Sequence, residues 1–120
     1  NGITRYSADL ILHCGADVIT TGNHCYKGRD SLEIYEDDNI IRPLNFPEGC
    51  KGKGICSLDF GSFSVCIINL MGTVYMEPLD NPFTAMEKLL AQIKTPNIFV
   101  DFHAEATAEK RLWDIFFPEK

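Results

Sequence analysis

Apolar residues recur at helical spacing near the start of the chain, with Tyr6 and Leu10 in one row and His13 or Cys14 continuing it. Thr4 stands where a helix cap belongs and Gly15 where a helix stops, so a helix is predicted from about residue 5 to Cys14. Asp17-Val18-Ile19-Thr20 is β-branched and too short for a helical turn, which reads as a buried strand running into polar Thr21-Gly22-Asn23-His24. Residues 28–37 predict a weakly amphipathic helix through Leu32, Ile34 and Tyr35, followed by Ile40-Ile41 and a rigid polar loop containing Pro43, Asn45 and Pro47.

Two strands are expected over 54–59 and 62–70, joined by a hairpin through Asp59-Phe60-Gly61-Ser62. The second holds the near-continuous apolar run Val65 to Leu70, as suits a central strand covered on both faces. After a loop from Met71, Pro82-Phe83 opens a helix with Ala85, Met86, Leu89, Leu90 and Ile93 on one face. Asn97-Ile98-Phe99-Val100-Asp101 predicts a third buried strand, delivering Phe102-His103-Ala104-Glu105 at its carboxyl end. A closing helix is expected from Ala106 to Trp113, and residues 115–120 carry no interpretable pattern. Helices alternating with short apolar strands indicate an α/β fold, in which loops leaving the carboxyl ends of strands carry function.

The 120 residues hold 45% hydrophobic positions, enough for one core, so a single domain over 1–120 is expected. The absence of an initiator Met and the immediate helix suggest that this domain is an incomplete one. Eleven basic residues against 17 acidic give a formal charge of −6, with no Lys or Arg run, which opposes a nucleic-acid surface. A phosphate-handling site would need local positive charge, which a bound metal supplies. Five cysteines form no C-x-x-C pair and read as free thiols in a reducing compartment. With no basic-then-apolar leader and no membrane-length segment, a cytoplasmic location with no membrane partner is expected.

Asn23 and His24 follow a strand and a glycine, and an amide oxygen and an imidazole both suit a borderline divalent metal. A turn with an exposed histidine is the alternative for such a pair taken alone. His103 has the same address on another strand, with Asp101 and Glu105 beside it. Were both strands in one parallel sheet, Asn23, His24 and His103 would face one cleft. Arg42 could fork onto a phosphate or pair with a surface carboxylate. Glu105 could hydrogen-bond a metal-bound histidine or simply favour a helix start. Gly49-Cys50-Lys51-Gly52-Lys53-Gly54 precedes a strand, not a helix, and is rejected as a phosphate loop.

The segments Asp17 to His24, Arg42-Pro43-Leu44-Asn45-Phe46-Pro47-Glu48-Gly49, Val65 to Leu70 and Val100-Asp101-Phe102-His103-Ala104-Glu105-Ala106-Thr107-Ala108-Glu109-Lys110 together resemble the YmdB-type calcineurin-like metallophosphoesterases. The Gly-Asn-His element is shared widely, whereas Arg-Pro-x-Asn-Phe-Pro with Asp-Phe-His-Ala-Glu-Ala-Thr is narrow. The resemblance implies part of a layered α/β/β/α sandwich, two divalent metals (Mn or Fe, with Mg or Zn as alternatives) and hydrolysis of phosphodiesters, 2′,3′-cyclic nucleotides among them. By matching position Asn23 and His103 would be metal ligands and His24 the residue that contacts the phosphate or protonates its leaving oxygen. Arg42 and Glu105 would be supporting or substrate contacts.

The family's early Asp and Glu-Asn ligands are expected upstream of Asn1, and its Gly-Thr-His-Thr-His segment downstream of Glu105. A second reading is therefore a non-catalytic α/β binding module or scaffold remnant. A thiol enzyme using Cys25 beside His24 is a third and weaker one. Exposed sheet edges would favour a homo-oligomer.

Overall fold

The computed structural model describes residues 2–118. Thr4 caps helix α1 (Arg5–His13): its hydroxyl accepts from the Ser7 N–H at 3.2 Å, and the Ser7 hydroxyl accepts from the Thr4 N–H at 3.0 Å. Two otherwise unpaired donors are thus satisfied reciprocally. The predicted apolar row is not the buried one, since Tyr6 is 78% exposed while Ala8 is fully buried and Leu12, four residues on, packs with it. Ala8, Ile19, Cys25, Ile34, Tyr35 and Ile40 form the first core cluster.

The expected strand at 17–20 reduces to a single parallel bridge between Ile19 and Ile40. Its ladder cannot continue, because the next available donor, the Thr21 N–H, is taken by the Asn69 side chain. The helix expected over 28–37 is also absent. Turns there contain only a 3₁₀ segment at Glu33–Glu36, in which adjacent Ile34 and Tyr35 are both buried while Leu32 is exposed. Burial of sequence neighbours is not the i, i+3, i+4 stripe that a surface helix presents.

The remaining elements follow the expected order. Strand β1 (Ile55–Asp59) pairs antiparallel with β2 (Ser64–Met71), and the connecting turn uses Gly61 at φ 84°, where its N–H reaches the Asp59 carboxylate at 2.8 Å. Asn81 caps α2 (Pro82–Leu90), accepting from the Phe83 N–H at 2.9 Å, with Pro82 in the first helical position. The helix stops at Leu90, yet Ile93 still packs on the core. Strand β3 (Ile98–His103) runs parallel to β2, with Asn69 opposite Asp101 and Met71 opposite His103, giving the order β1-β2-β3. Helix α3 spans Thr107–Phe116.

Helices α2 and α3 cover the sheet face that carries Cys66, Ile68, Leu70, Val100 and Phe102. Phe117, in the stretch without a readable pattern, belongs to this core: its ring centroid lies 4.6 Å from that of Trp113. Residues 119–120 of that stretch lie outside the described residues. β2 is as buried as its sequence indicates, but β3 is not, with Phe99 61% exposed. Among the described residues nothing pairs with its outer edge, so its outward side chains gain only partial cover.

Candidate active site

Parallel neighbours in a sheet point the same way, so Asn69, Asp101 and His103 all project from the face opposite α2 and α3. The segment 19–23 is tied to these three side chains. Thr20 donates its hydroxyl to Asp101 Oδ2 at 2.7 Å, and the Thr21 N–H donates to Asn69 Oδ1 at 2.9 Å. Asn23 Oδ1 and His103 Nε2 stand 3.1 Å apart, joining positions 80 residues apart in sequence. The convergence expected of Asn23 and His103 is present, although Asn23 arrives from a bridged segment and not from a sheet strand.

Asn69 does the most to make this possible. It is fully buried in the middle of an apolar strand, and its main chain also bonds Leu44 and Gly54, at 2.7 and 2.9 Å. A buried polar side chain in such a run has to be hydrogen-bonded, and here that need links the two core clusters. The signal was visible in Ile-Ile-Asn-Leu, but its partner in the 20s was not.

Gly22 sets the spacing. A Cβ there would lie 2.8 Å from both Cδ2 and Nε2 of His103, so only a glycine lets the imidazole lie this close over the backbone. Turns closed by Cys25 N–H to Gly22 O at 3.1 Å and Lys27 N–H to His24 O at 3.0 Å then place Asn23 and His24 on successive corners. Asn23 and His24 are half-buried, and His103 is exposed at the strand end.

Arg42 takes a different part from either sequence reading. It is 7% exposed, and its guanidinium donates to the carbonyls of Pro43, Cys50, Lys51 and Gly52 at 2.9 to 3.4 Å, which staples the 47–53 loop. Surface pairing with a carboxylate is thereby replaced by bonds to main-chain carbonyls. Asn45 is equally buried and donates to Met71 O at 2.7 Å and Asp80 O at 3.0 Å while accepting from the Met71 N–H. Glu105 is exposed, before the first turn of α3, and no hydrogen bond joins it to His103 among the described residues. The carboxylate that is buried is Glu109, 4% exposed.

Cys25 is 2% exposed, and burial pushes its thiol up to about 11. A neutral, enclosed thiol is a poor nucleophile, which removes the thiol-enzyme reading.

Two donors bound side by side on one octahedral ion at about 2.1 Å stand roughly 3 Å apart. The Asn23–His103 spacing of 3.1 Å is that of a hydrogen bond, and the same spacing fits adjacent ligands of one divalent ion. Among the described residues no group of three or more His, Cys, Asp or Glu side chains could hold an ion. These residues therefore suit one corner of a metal site and do not by themselves fit a two-metal centre. No helix among them is long and apolar enough to cross a membrane.

Comparison with known proteins adds an independent line. Residues 1–119 match the family described as YmdB-like protein. The 2′,3′-cyclic-nucleotide 2′-phosphodiesterase of Bacillus subtilis (strain 168) is 42% identical over 112 residues, covering 91% of this chain and 42% of that protein. A solved structure of a hypothetical protein from Thermus thermophilus superposes with a TM-score of 0.92 at 36% identity, covering 97% of this chain and 46% of its own. A novel phosphatase from Mycoplasma pneumoniae gives 0.89 at 28%, covering 98% and 44%. The chain thus spans less than half the length of each of these proteins.

Proposed function

Because the chain belongs to the YmdB-like family, we propose that it forms part of a metal-dependent phosphodiesterase acting on small phosphodiesters such as 2′,3′-cyclic nucleotides. The observation that carries this reading is the approach of Asn23 Oδ1 to His103 Nε2 at 3.1 Å, the separation of two ligands on one ion. Asn23 and His103 would hold one of two divalent ions, Mn or Fe in first place, and further ligands would be needed to complete its site. Such ions would supply Lewis acidity, lowering the pKa of a water and neutralising phosphoryl charge. His24, on the corner next to Asn23, contacts the phosphate and passes a proton to the leaving oxygen, which suits a group whose ordinary pKa lies near neutrality. The name of the Bacillus subtilis relative supports the substrate class.

A second reading, a non-catalytic module or scaffold remnant, draws on the absence of a group of three or more candidate ligands among the described residues. One experiment separates the two. The natural full-length protein and its His103→Ala variant are assayed for bound metal and for Mn²⁺-dependent hydrolysis of 2′,3′-cyclic AMP. Loss of both turnover and one metal equivalent in the variant supports the enzyme. A wild-type protein with neither turnover nor stoichiometric metal leaves the binding-module reading.

A further inference from the structure

The loop from Gly72 to Glu77 leaves the carboxyl end of β2 beside the His103 end of β3. The Gly72 N–H donates to the His103 carbonyl at 2.9 Å. The loop is then clamped by Glu109, which accepts from the Thr73 N–H at 2.8 Å, the Thr73 hydroxyl at 3.3 Å and the Val74 N–H at 3.3 Å. The clamp sits hard on the backbone: a Cβ at Gly72 would fall 2.3 Å from Glu109 Oε2. A turn closed by the Met76 N–H on Thr73 O at 3.2 Å then presents Tyr75 at its third position.

Tyr75 combines two features that do nothing for folding stability. Its φ of 62° is left-handed, a conformation that glycine adopts freely and a tyrosine does not, and it is the one non-glycine with positive φ among the described residues. Its side chain is 88% exposed and makes no ring contact among those residues. Strained backbone three residues from the Gly72–His103 contact points to a functional demand, and a solvent-facing aromatic carried on a clamped backbone is a stacking surface. We propose that Tyr75 is the platform on which the base of a nucleotide phosphodiester stacks, with Glu109 as the positioning residue that keeps the loop rigid. This deepens the phosphodiesterase reading and rests on it.

The test uses the natural full-length protein with Tyr75→Gly and Tyr75→Phe, assayed on adenosine 2′,3′-cyclic phosphate and on ribose 2′,3′-cyclic phosphate, which lacks the base. Tyr75→Gly is expected to lose about tenfold more in kcat/KM on the adenosine substrate than on the base-free one, mostly through KM, because one base-aromatic stack is removed. Its melting temperature should hold or rise, since glycine relieves the backbone, and Tyr75→Phe should restore selectivity for the base. Equal losses on both substrates, no loss on either, or a lowered melting temperature would each overturn the proposal. Wild-type protein that hydrolyses neither substrate would instead remove the phosphodiesterase reading, and the platform with it.

Discussion

Replacing Gly22 with alanine should separate site geometry from folding stability. The added Cβ would meet Cδ2 and Nε2 of His103 at 2.8 Å, against 3.4 Å or more for an ordinary contact, so the ring has to retreat by at least roughly half an ångström. It can do so cheaply, because His103 ends its strand on the exposed side and is not wedged in the core. Gly22 also lacks a positive φ, so alanine fits the backbone and narrows the unfolded ensemble, a gain of about 0.4–1 kcal/mol that offsets the local crowding. The net change in stability should therefore lie within about 1 kcal/mol, a shift of only a few degrees in Tm for a domain of this size. The site is less forgiving. A displacement approaching 1 Å in a group that positions substrate or metal can cost about 10²-fold in rate, so a loss of about 10- to 100-fold in Mn²⁺-dependent hydrolysis is expected.

Thermal unfolding by circular dichroism reads the first quantity and steady-state kinetics the second. Imidazole NMR resonances of His103 report the lost approach to Asn23 independently of activity. A Gly22→Ala protein with unchanged turnover and unchanged His103 resonances would refute the close approach itself. A fall in Tm beyond about 8 °C would show that His103 cannot move aside, contrary to its exposure.

Asn45→Ala removes the Asn45 partner of the Met71 N–H, the Met71 carbonyl and the Asp80 carbonyl, and two buried bonds and one part-buried bond at about 1 kcal/mol each predict roughly 2–3 kcal/mol of destabilisation, read as a lower urea midpoint at constant m. Arg42→Lys keeps the charge but replaces a planar fork by a single ammonium, so the 47–53 loop should loosen and be nicked faster by a protease, with the core transition nearly unchanged. Burial holds Cys25 at about 11 and Tyr35 at about 12, above ordinary values of 9.0 and 10.0. Both are neutral in the folded state until high pH, so their contribution to stability is intact below pH 9 and declines as pH rises through the 9–12 window. Tm should be level to about pH 9 and then fall, and Cys25→Ala should flatten the first part of that fall.

The positions of α1, the β1–β2 hairpin, α2 and β3 were legible in the sequence, although not the buried row of α1 or the exposure of β3. Two segments were not, for related reasons. Val18-Ile19-Thr20 has strand chemistry, but the hydrogen-bond partner that ends its pairing is the side chain of Asn69, some 48 residues later. Ile34 and Tyr35 are apolar neighbours buried together, which a turn achieves and a surface helix does not. The exposure of Phe99 was likewise invisible, because an apolar strand reads the same whether or not a neighbour covers it. Of the site, the meeting of Asn23 and His103 was legible as two polar ends of apolar runs. The buried Asn69, Asn45 and Glu109 were not singled out, since each carries its meaning through a partner far away in sequence.

The segments that resemble the family turn out to hold loops as much as to reach into the site. Arg42 staples residues 50–52, Asn45 fastens the end of β2 to the segment before α2, Asp101 holds Thr20, and Glu109 grips Thr73 and Val74. In the proposed reading Asn23, His24 and His103 face the chemistry, and the first two belong to the widely shared Gly-Asn-His element. Charge-bearing donors on mobile loops would hold a metal or a phosphate poorly, because each must be ordered at the moment of binding. Fixing the loops in advance with buried polar side chains removes that cost from the binding step. It follows that substitutions at Arg42, Asn45 or Glu109 should affect activity through the placement of neighbouring groups, and that conservative changes there should be less tolerated than their distance from the reacting atoms suggests.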